Sequence, residues 1–155
     1  MLLGACLAFM LSALGMKPIL QPPEPFFPID SHLHVWSNGV APFPLASAVP
    51  ADLKQSQAED LVKLQEESGV GGALIVQPIN HLYDHSYILS AMQNNQFGHH
   101  FKGMCLANPT ISVEEGVQFL ISRKAEGFVG VRFNPYLWTA GEAMSDERGS
   151  TLYVF

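Results

Sequence analysis

Hydrophobic residues along this chain form four short runs that alternate with stretches of helical periodicity. The runs cover residues 28–36, 72–78, 101–109 and 128–135. The later runs are nearly continuous, as in parallel strands that are covered on both faces. Apolar positions recur at helical spacing over residues 51–68, 84–93 and 112–126. The pattern therefore predicts an α/β chain built from repeated strand–helix units around a parallel sheet.

Local signals support two of the predicted helices. Gly69 stands where the first helix needs a C-terminal cap, and Glu59 and Lys63 form an i,i+4 pair within that helix. Ser112 followed by Glu115 has the form of a capping box at the start of the third helix. These signals predict helix ends close to residues 69 and 112.

Three of the predicted strands end in a side-chain amide followed by a proline. The amides are Gln77, Asn108 and Asn134, and they recur at about the length of one strand–helix unit. Proline cannot continue a central strand, so each amide marks a carboxyl end. In a β/α barrel, that end carries the binding groups. Amides at strand ends also cap turns, but the set of three favours a substrate-binding role.

Two histidines, His32 and His34, lie in the first apolar run. Alternate side chains of a strand share a face, so the two imidazoles project together. Neutral imidazole is a common metal ligand, and the pair is a candidate metal site. The alternative is an ordinary strand whose histidines are satisfied by hydrogen bonds. Asp30 falls on the same face and is interpreted as a partner that holds an imidazole.

Further polar residues follow the predicted strands. Arg132 shares a face with Asn134 and is a candidate for holding a carboxylate or a polarised carbonyl; the alternative is a structural ion pair. His81, Asp84 and His85 follow the second strand and are interpreted as surface or capping residues, with Asp84 as the N-cap of the next helix. The two histidines at residues 99–100 precede the third strand. They are therefore predicted to face solvent at the end of the sheet opposite to the strand-end amides.

Composition narrows the class of protein. The chain has 155 residues, of which 48% are hydrophobic and 14% charged, and this indicates one folded unit rather than disorder. The formal net charge of −6 disfavours nucleic acid as a partner. The two cysteines, Cys6 and Cys105, are far apart and suggest no disulfide framework. Cys105 is interpreted as a small buried hydrophobic residue.

The amino-terminal residues differ from the rest of the chain. Residues 1–16 are uncharged and apolar, which predicts either a cleaved secretory or organellar leader or an apolar tail on a cytoplasmic protein. Any membrane association is expected through this segment alone. Residues 17–25 are rich in proline and predict an extended linker. The folded domain is predicted to cover residues 26–155.

The strand-end motifs together resemble one known family. The chain from about residue 26 to 149 is similar to the amidohydrolase-related, lactonase-like members of the amidohydrolase superfamily. The resemblance is carried by 29–36 (IDSHLHVW), 66–70 (EESGV), 73–81 (ALIVQPINH), 105–109 (CLANP) and 130–138 (GVRFNPYLW).

The resemblance implies a metal-dependent hydrolase that acts on a small lactone, ester or amide. It implies a (β/α)8 TIM-type barrel, of which this chain carries the first four strand–helix units. His32 and His34 would bind a divalent metal ion, zinc or manganese, and Gln77, Asn108, Arg132 and Asn134 would orient a small-molecule substrate. The catalytic acid or base and the remaining ligands are expected on later strands, beyond residue 155.

A barrel of this kind needs roughly 250 residues, so four strands leave a sheet with two open edges. We therefore expect either that the chain is a truncated N-terminal fragment of a longer barrel, or that it self-associates or pairs with a complementing chain. The alternative function is a catalytically inactive half-barrel with an oligomerising or regulatory role. A flavodoxin-like open sheet is a third interpretation, although the first strand–helix connection lacks the glycine-rich phosphate loop.

Overall fold

The structure, a computed structural model, describes residues 27–51, 57–138 and 144–154. Strands and helices alternate along this part of the chain. Their bounds are β1 Ile29–Leu33, α1 Ala58–Ser68, β2 Gly72–Val76, α2 Ser86–Gln93, β3 Phe101–Leu106, α3 Val113–Ala125, β4 Phe128–Arg132 and α4 Glu147–Val154. Short 3-10 helices follow β2, precede β3 and follow β4, at Ile79–His81, Gly98–His100 and Pro135–Leu137. The predicted leader and proline-rich linker lie outside the described residues.

The four strands form one parallel sheet in the order β1-β2-β3-β4. A parallel sheet whose strand order follows the chain order requires a crossover between each pair of neighbours. The helices α1, α2 and α3 lie in these crossovers. The architecture confirms the predicted fold class, an α/β chain with the parallel sheet of a partial TIM-type barrel.

The predicted helix caps agree with the structure at two of three positions. Gly69 caps α1 in the left-handed conformation with φ of 68°, and Ser112 forms a reciprocal capping box with Glu115 at α3. Helix α1 begins at Ala58 rather than residue 51, and residues 52–56 lie outside the described part. The N-cap of α2 is His85 rather than Asp84, whose carboxylate accepts the Ser86 N–H at 3.0 Å.

The main hydrophobic core lies between the sheet and its helices. The alternating residues Ala73 and Ile75 of β2 are buried there with Ile88 of α2 and Leu120 of α3. Cys105 is 2% exposed in the same core, as the sequence predicts, and burial raises the pKa of its thiol to about 11. This thiol therefore stays protonated and acts as an apolar side chain.

Strands β1 and β4 are the edges of the described sheet, and each carries exposed apolar surface. Ile29 of β1 is 63% exposed and Val129 of β4 is 61% exposed. Both values are far above those of the core residues on the central strands. Within the described residues, no helix is both long and apolar enough to cross a membrane.

Candidate active site

His34 follows directly after β1, and its ring is fixed by the neighbouring strand. The Nδ1 atom lies 2.7 Å from the carbonyl oxygen of Val76 at the end of β2. A carbonyl only accepts hydrogen bonds, so Nδ1 carries the proton and Nε2 carries the lone pair. Metal-binding histidines are usually oriented by a bond of this kind. The contact therefore presents Nε2 in a form suited to coordination.

His32 lies beside His34, as the strand alternation predicts. The two ring centroids are 5.3 Å apart and the ring planes are nearly perpendicular. Asp30 does not hold an imidazole: its Oδ1 accepts the backbone N–H of His32 at 3.0 Å. That part of the sequence interpretation is wrong, because the carboxylate folds back onto the chain and stabilises the local backbone instead.

The electrostatic environment keeps His34 neutral. Burial is the largest effect and lowers the pKa of its imidazole below the usual value, against the opposing bond to Val76. The positive charge of Arg132 and the nearby His32 lower this pKa further. A histidine must be neutral to bind a metal ion, so these effects favour the ligand form at neutral pH.

Arg132 ends β4 and reaches across the carboxyl ends of the sheet. Its Nη1 atom donates a hydrogen bond of 2.8 Å to the backbone oxygen of Gln77, just past the end of β2. Partial burial lowers the pKa of the guanidinium. Arginine has five N–H donors and only one is used in this bond, so the side chain retains donors for an anionic ligand. Arg132, His34 and the end of β2 therefore form one rim.

Gln77 lies at this rim but points into the protein. Its side chain is fully buried, and Nε2 donates to the carbonyl oxygens of Leu82 at 3.0 Å and Asp84 at 2.7 Å. In the described part of the chain, Oε1 has no hydrogen-bond partner. The amide group therefore fixes the loop after β2. A direct contact of Gln77 with substrate stays a prediction.

The other two amides act in local turns. Asn108 Oδ1 accepts both the backbone N–H of Thr110, at 2.9 Å, and its hydroxyl, at 2.6 Å. Asn134 is 4% exposed, and its Oδ1 accepts the Tyr136 N–H at 3.0 Å. Both residues follow the carboxyl ends of their strands, as predicted. Their carbonyl groups cap turns, and their substrate-binding role stays a prediction.

Two histidines interpreted as surface or capping residues are buried. His81 is 3% exposed and His85 is 1% exposed. The ring of His85 joins two backbone segments: Nδ1 contacts the Tyr83 carbonyl at 2.8 Å, and Nε2 accepts the Leu106 N–H of β3 at 2.8 Å. Burial lowers the pKa of His85 to about 4. His85 is therefore a neutral cross-link, and the surface interpretation is wrong.

The loop that follows β1 is held by the segment that follows β2. His81 Nε2 accepts the Ser37 N–H at 3.3 Å, and its ring stacks on Tyr87. Asn80 accepts from the Trp36 indole at 3.0 Å and donates to the Ala48 carbonyl at 2.7 Å. Both segments are rich in aromatic and amide side chains, so a signal for contacts between them was present in the sequence. Which residues pair depends on the tertiary fold.

A cavity of about 520 Å³ lies on the other side of the sheet, and none of the predicted site residues lines it. Its walls come from β4, α3 and α4, and they include Leu120, Val129, Val131 and Leu152. This cavity is mostly apolar and is separate from the histidine rim.

The ligand set for a metal ion is partial. In the described ranges, no group of three histidine, cysteine, aspartate or glutamate side chains is arranged so that it could hold a metal ion. Catalytic zinc sites usually have three protein ligands. The fixed Nε2 of His34 and the adjacent imidazole of His32 fit two of those positions.

Comparisons with known proteins give a fold and no family. No protein-family model matches the sequence, and a search of curated proteins finds no match. Among solved structures, the chain is similar to a probable 2-pyrone-4,6-dicarboxylic acid hydrolase from Acinetobacter baumannii with citric acid bound. That likeness has 24% identity and a TM-score of 0.60, and covers 82% of this chain and 44% of the other.

A second similar structure carries the same 2-pyrone-4,6-dicarboxylic acid hydrolase name and comes from Pseudomonas putida. It has 22% identity and a TM-score of 0.58, with coverage of 80% of this chain and 42% of the other. This chain thus spans less than half the length of either structure. At these identities the likeness shows the fold, which agrees with the parallel half-barrel architecture.

Proposed function

We propose that the rim of His32, His34 and Arg132 is part of a metal-dependent hydrolase site for a small lactone, ester or amide. The observation that carries the proposal is the 5.3 Å pairing of the two imidazoles at the carboxyl end of β1. In β/α barrels, this is the end at which catalytic groups gather. The solved structures of similar fold carry hydrolase names, which supports the same reaction class.

His32 and His34 would hold a divalent metal ion, zinc or manganese, through the imidazole nitrogens that face the rim. When bound, such an ion supplies a Lewis acid that polarises a carbonyl and lowers the pKa of water from 15.7 toward about 7. The residues of the chain orient this chemistry: Val76 fixes the tautomer of His34, and the charge of Arg132 disfavours its protonation. No residue in the described ranges is assigned as the catalytic acid or base.

Arg132 would bind a carboxylate on the substrate. One donor is used by the Gln77 carbonyl, which holds the guanidinium at the rim with its remaining donors available. The names of the similar structures refer to a dicarboxylic acid, and one of them has citric acid bound. These facts support a lactone that carries carboxylates. Asn108 and Asn134 would contribute their NH2 groups, while Gln77 would support the loop behind the rim.

Metal analysis tests the proposal directly. Purified protein dialysed against zinc or manganese is expected to retain metal, and His34→Ala or His32→Ala is expected to lose it. His99→Ala is the matched control, because this exposed histidine precedes β3 at the opposite end of the strand. Equal retention by all four proteins would contradict the proposed ligands.

Substrate binding is tested separately with 2-pyrone-4,6-dicarboxylate and an uncharged lactone of similar size. Replacing Arg132 by methionine should weaken binding of the dicarboxylate by about tenfold or more, since a charge-assisted contact contributes about 1.5–3 kcal/mol. Binding of the uncharged lactone should change little. An equal loss for both ligands would indicate a structural role for Arg132.

The partial ligand set favours a second candidate, a catalytically inactive half-barrel with an oligomerising or regulatory role. In the described residues, no group of three potential ligands could hold a metal ion. This candidate predicts folded protein without stoichiometric metal, and a fold that is unaffected by His32→Ala and His34→Ala. The metal analysis therefore separates the two functions.

A further inference from the structure

Four asparagine side chains in the described part of the chain make the same local hydrogen bond. In each, Oδ1 accepts the backbone N–H two residues further along, at 2.9–3.3 Å; they are Asn38, Asn94, Asn108 and Asn134. This bond folds the amide back along its own backbone. It also gives a donor to the oxygen that becomes negative if a nucleophile attacks the amide carbon. The following residue therefore decides whether such an attack occurs.

The residue that follows differs among the four asparagines. Asn108 and Asn134 precede prolines, whose nitrogen has no proton to lose. Asn94 precedes a second asparagine, whose Cβ crowds the nitrogen. Asn38 precedes Gly39, which has no Cβ and a φ of 77°. Asn38 is also exposed, so water and hydroxide reach it. The backbone nitrogen is therefore least hindered after Asn38.

We propose that Asn38 is a site of spontaneous covalent modification, in which its side-chain amide is lost through a cyclic imide. The Gly39 nitrogen loses its proton to hydroxide and forms a bond to Cγ of Asn38, and the bond from Cγ to the NH2 group breaks to release ammonia. The attack is intramolecular, so the reacting groups are already held together. Water then opens the imide at either carbonyl. One opening gives aspartate, and the other gives isoaspartate, in which the main chain runs through the side-chain carboxyl.

The contacts of the folded loop act on both reacting groups. The Val40 N–H bonds to Asn38 Oδ1 at 3.3 Å and stabilises the charge that develops on this oxygen. The Gly39 N–H donates to Ser37 Oγ at 3.2 Å, and the Ser37 hydroxyl donates to the Phe43 carbonyl at 2.6 Å. The serine therefore restrains the nitrogen that attacks, and removing its hydroxyl should speed up the reaction.

The modification changes the loop that follows β1 in two ways. Either product adds one negative charge to a chain whose formal net charge is −6. Isoaspartate also inserts one carbon atom into the main chain before Gly39, which pairs with Pro44 in an isolated bridge. This insertion shifts the register of the loop, so backbone amides of residues 37–44 should exchange faster. The reaction requires neither a metal ion nor a substrate, so it is independent of the proposed hydrolase function.

Peptide mapping of the full 155-residue chain by mass spectrometry tests the proposal. Protein kept at 37 °C and pH 7.4 for several weeks should gain, in the peptide that contains residue 38, the mass that replacement of NH by O gives. Electron-transfer fragmentation should show aspartate and isoaspartate there. Asn94, Asn108 and Asn134 are matched internal controls and should convert at least about tenfold more slowly. Equal conversion at Asn38 and Asn94 would overturn the proposal.

Three variants separate the contributions to the rate. Asn38→Gln should abolish the mass gain at residue 38. Gly39→Ala should slow the reaction by about tenfold or more, because a Cβ crowds the nitrogen. In the folded chain this Cβ would lie 3.3 Å from Leu45 Cδ1, so the variant is also measured in urea, where the slowing should remain. Ser37→Ala should react about threefold faster than wild type when folded and at the wild-type rate in urea.

The pH dependence and the loop dynamics provide two further readouts. The rate should rise between pH 6 and 9, because hydroxide removes the Gly39 proton. A reaction confined to the urea-unfolded chain, or one independent of pH, would overturn the proposal. Freshly purified Asn38→Asp carries the added charge on an ordinary main chain and should show wild-type hydrogen exchange over residues 37–44. The chromatographically separated isoaspartyl protein should exchange faster, and equal exchange would contradict the shift in register.

Discussion

Histidines occur in two different environments in this protein: at the rim, and in the buried segment that follows β2. At the rim, the His32 ring is exposed and His34 has one nitrogen bound to a backbone carbonyl. Behind it, His85 has both ring nitrogens bound to backbone groups, and His81 accepts the Ser37 N–H while stacking on Tyr87. A histidine can bind a metal ion only when a nitrogen lone pair remains available. The comparison therefore separates candidate ligands from structural cross-links.

Removing a cross-linking imidazole should have the largest effect on stability. His85→Ala leaves the Leu106 N–H and the Tyr83 carbonyl without partners inside the protein. Each buried unpaired group costs about 1–3 kcal/mol, and a cavity adds to this, so we expect a loss of about 4 kcal/mol in the free energy of unfolding. Urea denaturation measures it.

The rim provides the control for that prediction. His32→Ala should change the free energy of unfolding by about 0.5 kcal/mol or less, because exposed side chains contribute little. Equal losses for His32→Ala and His85→Ala would show that the two environments do not differ in the way the hydrogen bonds indicate.

Lowering the pH should destabilise the protein, because the buried His85 becomes protonated. Its pKa is about 4 in the folded protein, below the usual value of 6.5. The unfolded state therefore binds more protons, and the stabilisation present above pH 6.5 is lost as the pH falls toward 4. The loss should be on the order of 3 kcal/mol.

Urea unfolding at several pH values between 7 and 4 measures this dependence. The slope should persist in His99→Ala and be reduced in His85→Leu, which removes the titrating group. An unchanged slope in His85→Leu would assign the acid sensitivity to other residues.

A smaller effect is expected for the amide that joins the two loops. Asn80→Ala removes the acceptor of the Trp36 indole and the donor to the Ala48 carbonyl. We expect a loss of about 2 kcal/mol in unfolding free energy and faster hydrogen exchange over residues 36–48. Asn38→Ala, at an exposed position of the same loop, should change stability by about 0.5 kcal/mol. Unchanged exchange rates in Asn80→Ala would contradict the joining role.

The smallest change in stability is expected at Gln65, a buried polar side chain that, unlike His85, makes no hydrogen bond within the described part of the chain. Gln65 is 4% exposed, and within the described part of the chain neither side-chain polar atom has a hydrogen-bond partner. Gln65→Leu should therefore increase the free energy of unfolding by about 1 kcal/mol. Gln118→Leu, at an exposed site on α3, is the matched control and should give no gain in thermal denaturation. Destabilisation by Gln65→Leu would imply a missing polar partner.

The sequence predicted the architecture well because local signals agree with the tertiary structure. The apolar runs gave four strands, and the caps at Gly69 and Ser112 agree with the structure. It also placed His32 and His34 together, because strand alternation fixes which side chains share a face. The hydrogen bonds of Asp30 and His85 were not predictable in the same way, since each side chain had several backbone partners within reach.

The amide repeat shows where pattern alone was insufficient. Gln77, Asn108 and Asn134 lie after the strand ends as predicted, yet each uses its amide for nearby backbone groups or side chains. Sequence spacing determines the end of the sheet at which a residue lies. It does not determine whether the side chain turns toward the rim or back onto its own loop.

The amino-acid sequence by itself determined the order, type and direction of the elements, because hydrophobic periodicity and capping act over a few neighbouring residues. The tertiary structure alone decided which polar groups meet. His85 and Leu106 are far apart along the chain, as are His34 and Val76, so these contacts exist only after the strands have paired. That is why the sequence predicts a histidine pair, while only the folded chain shows which nitrogen remains available.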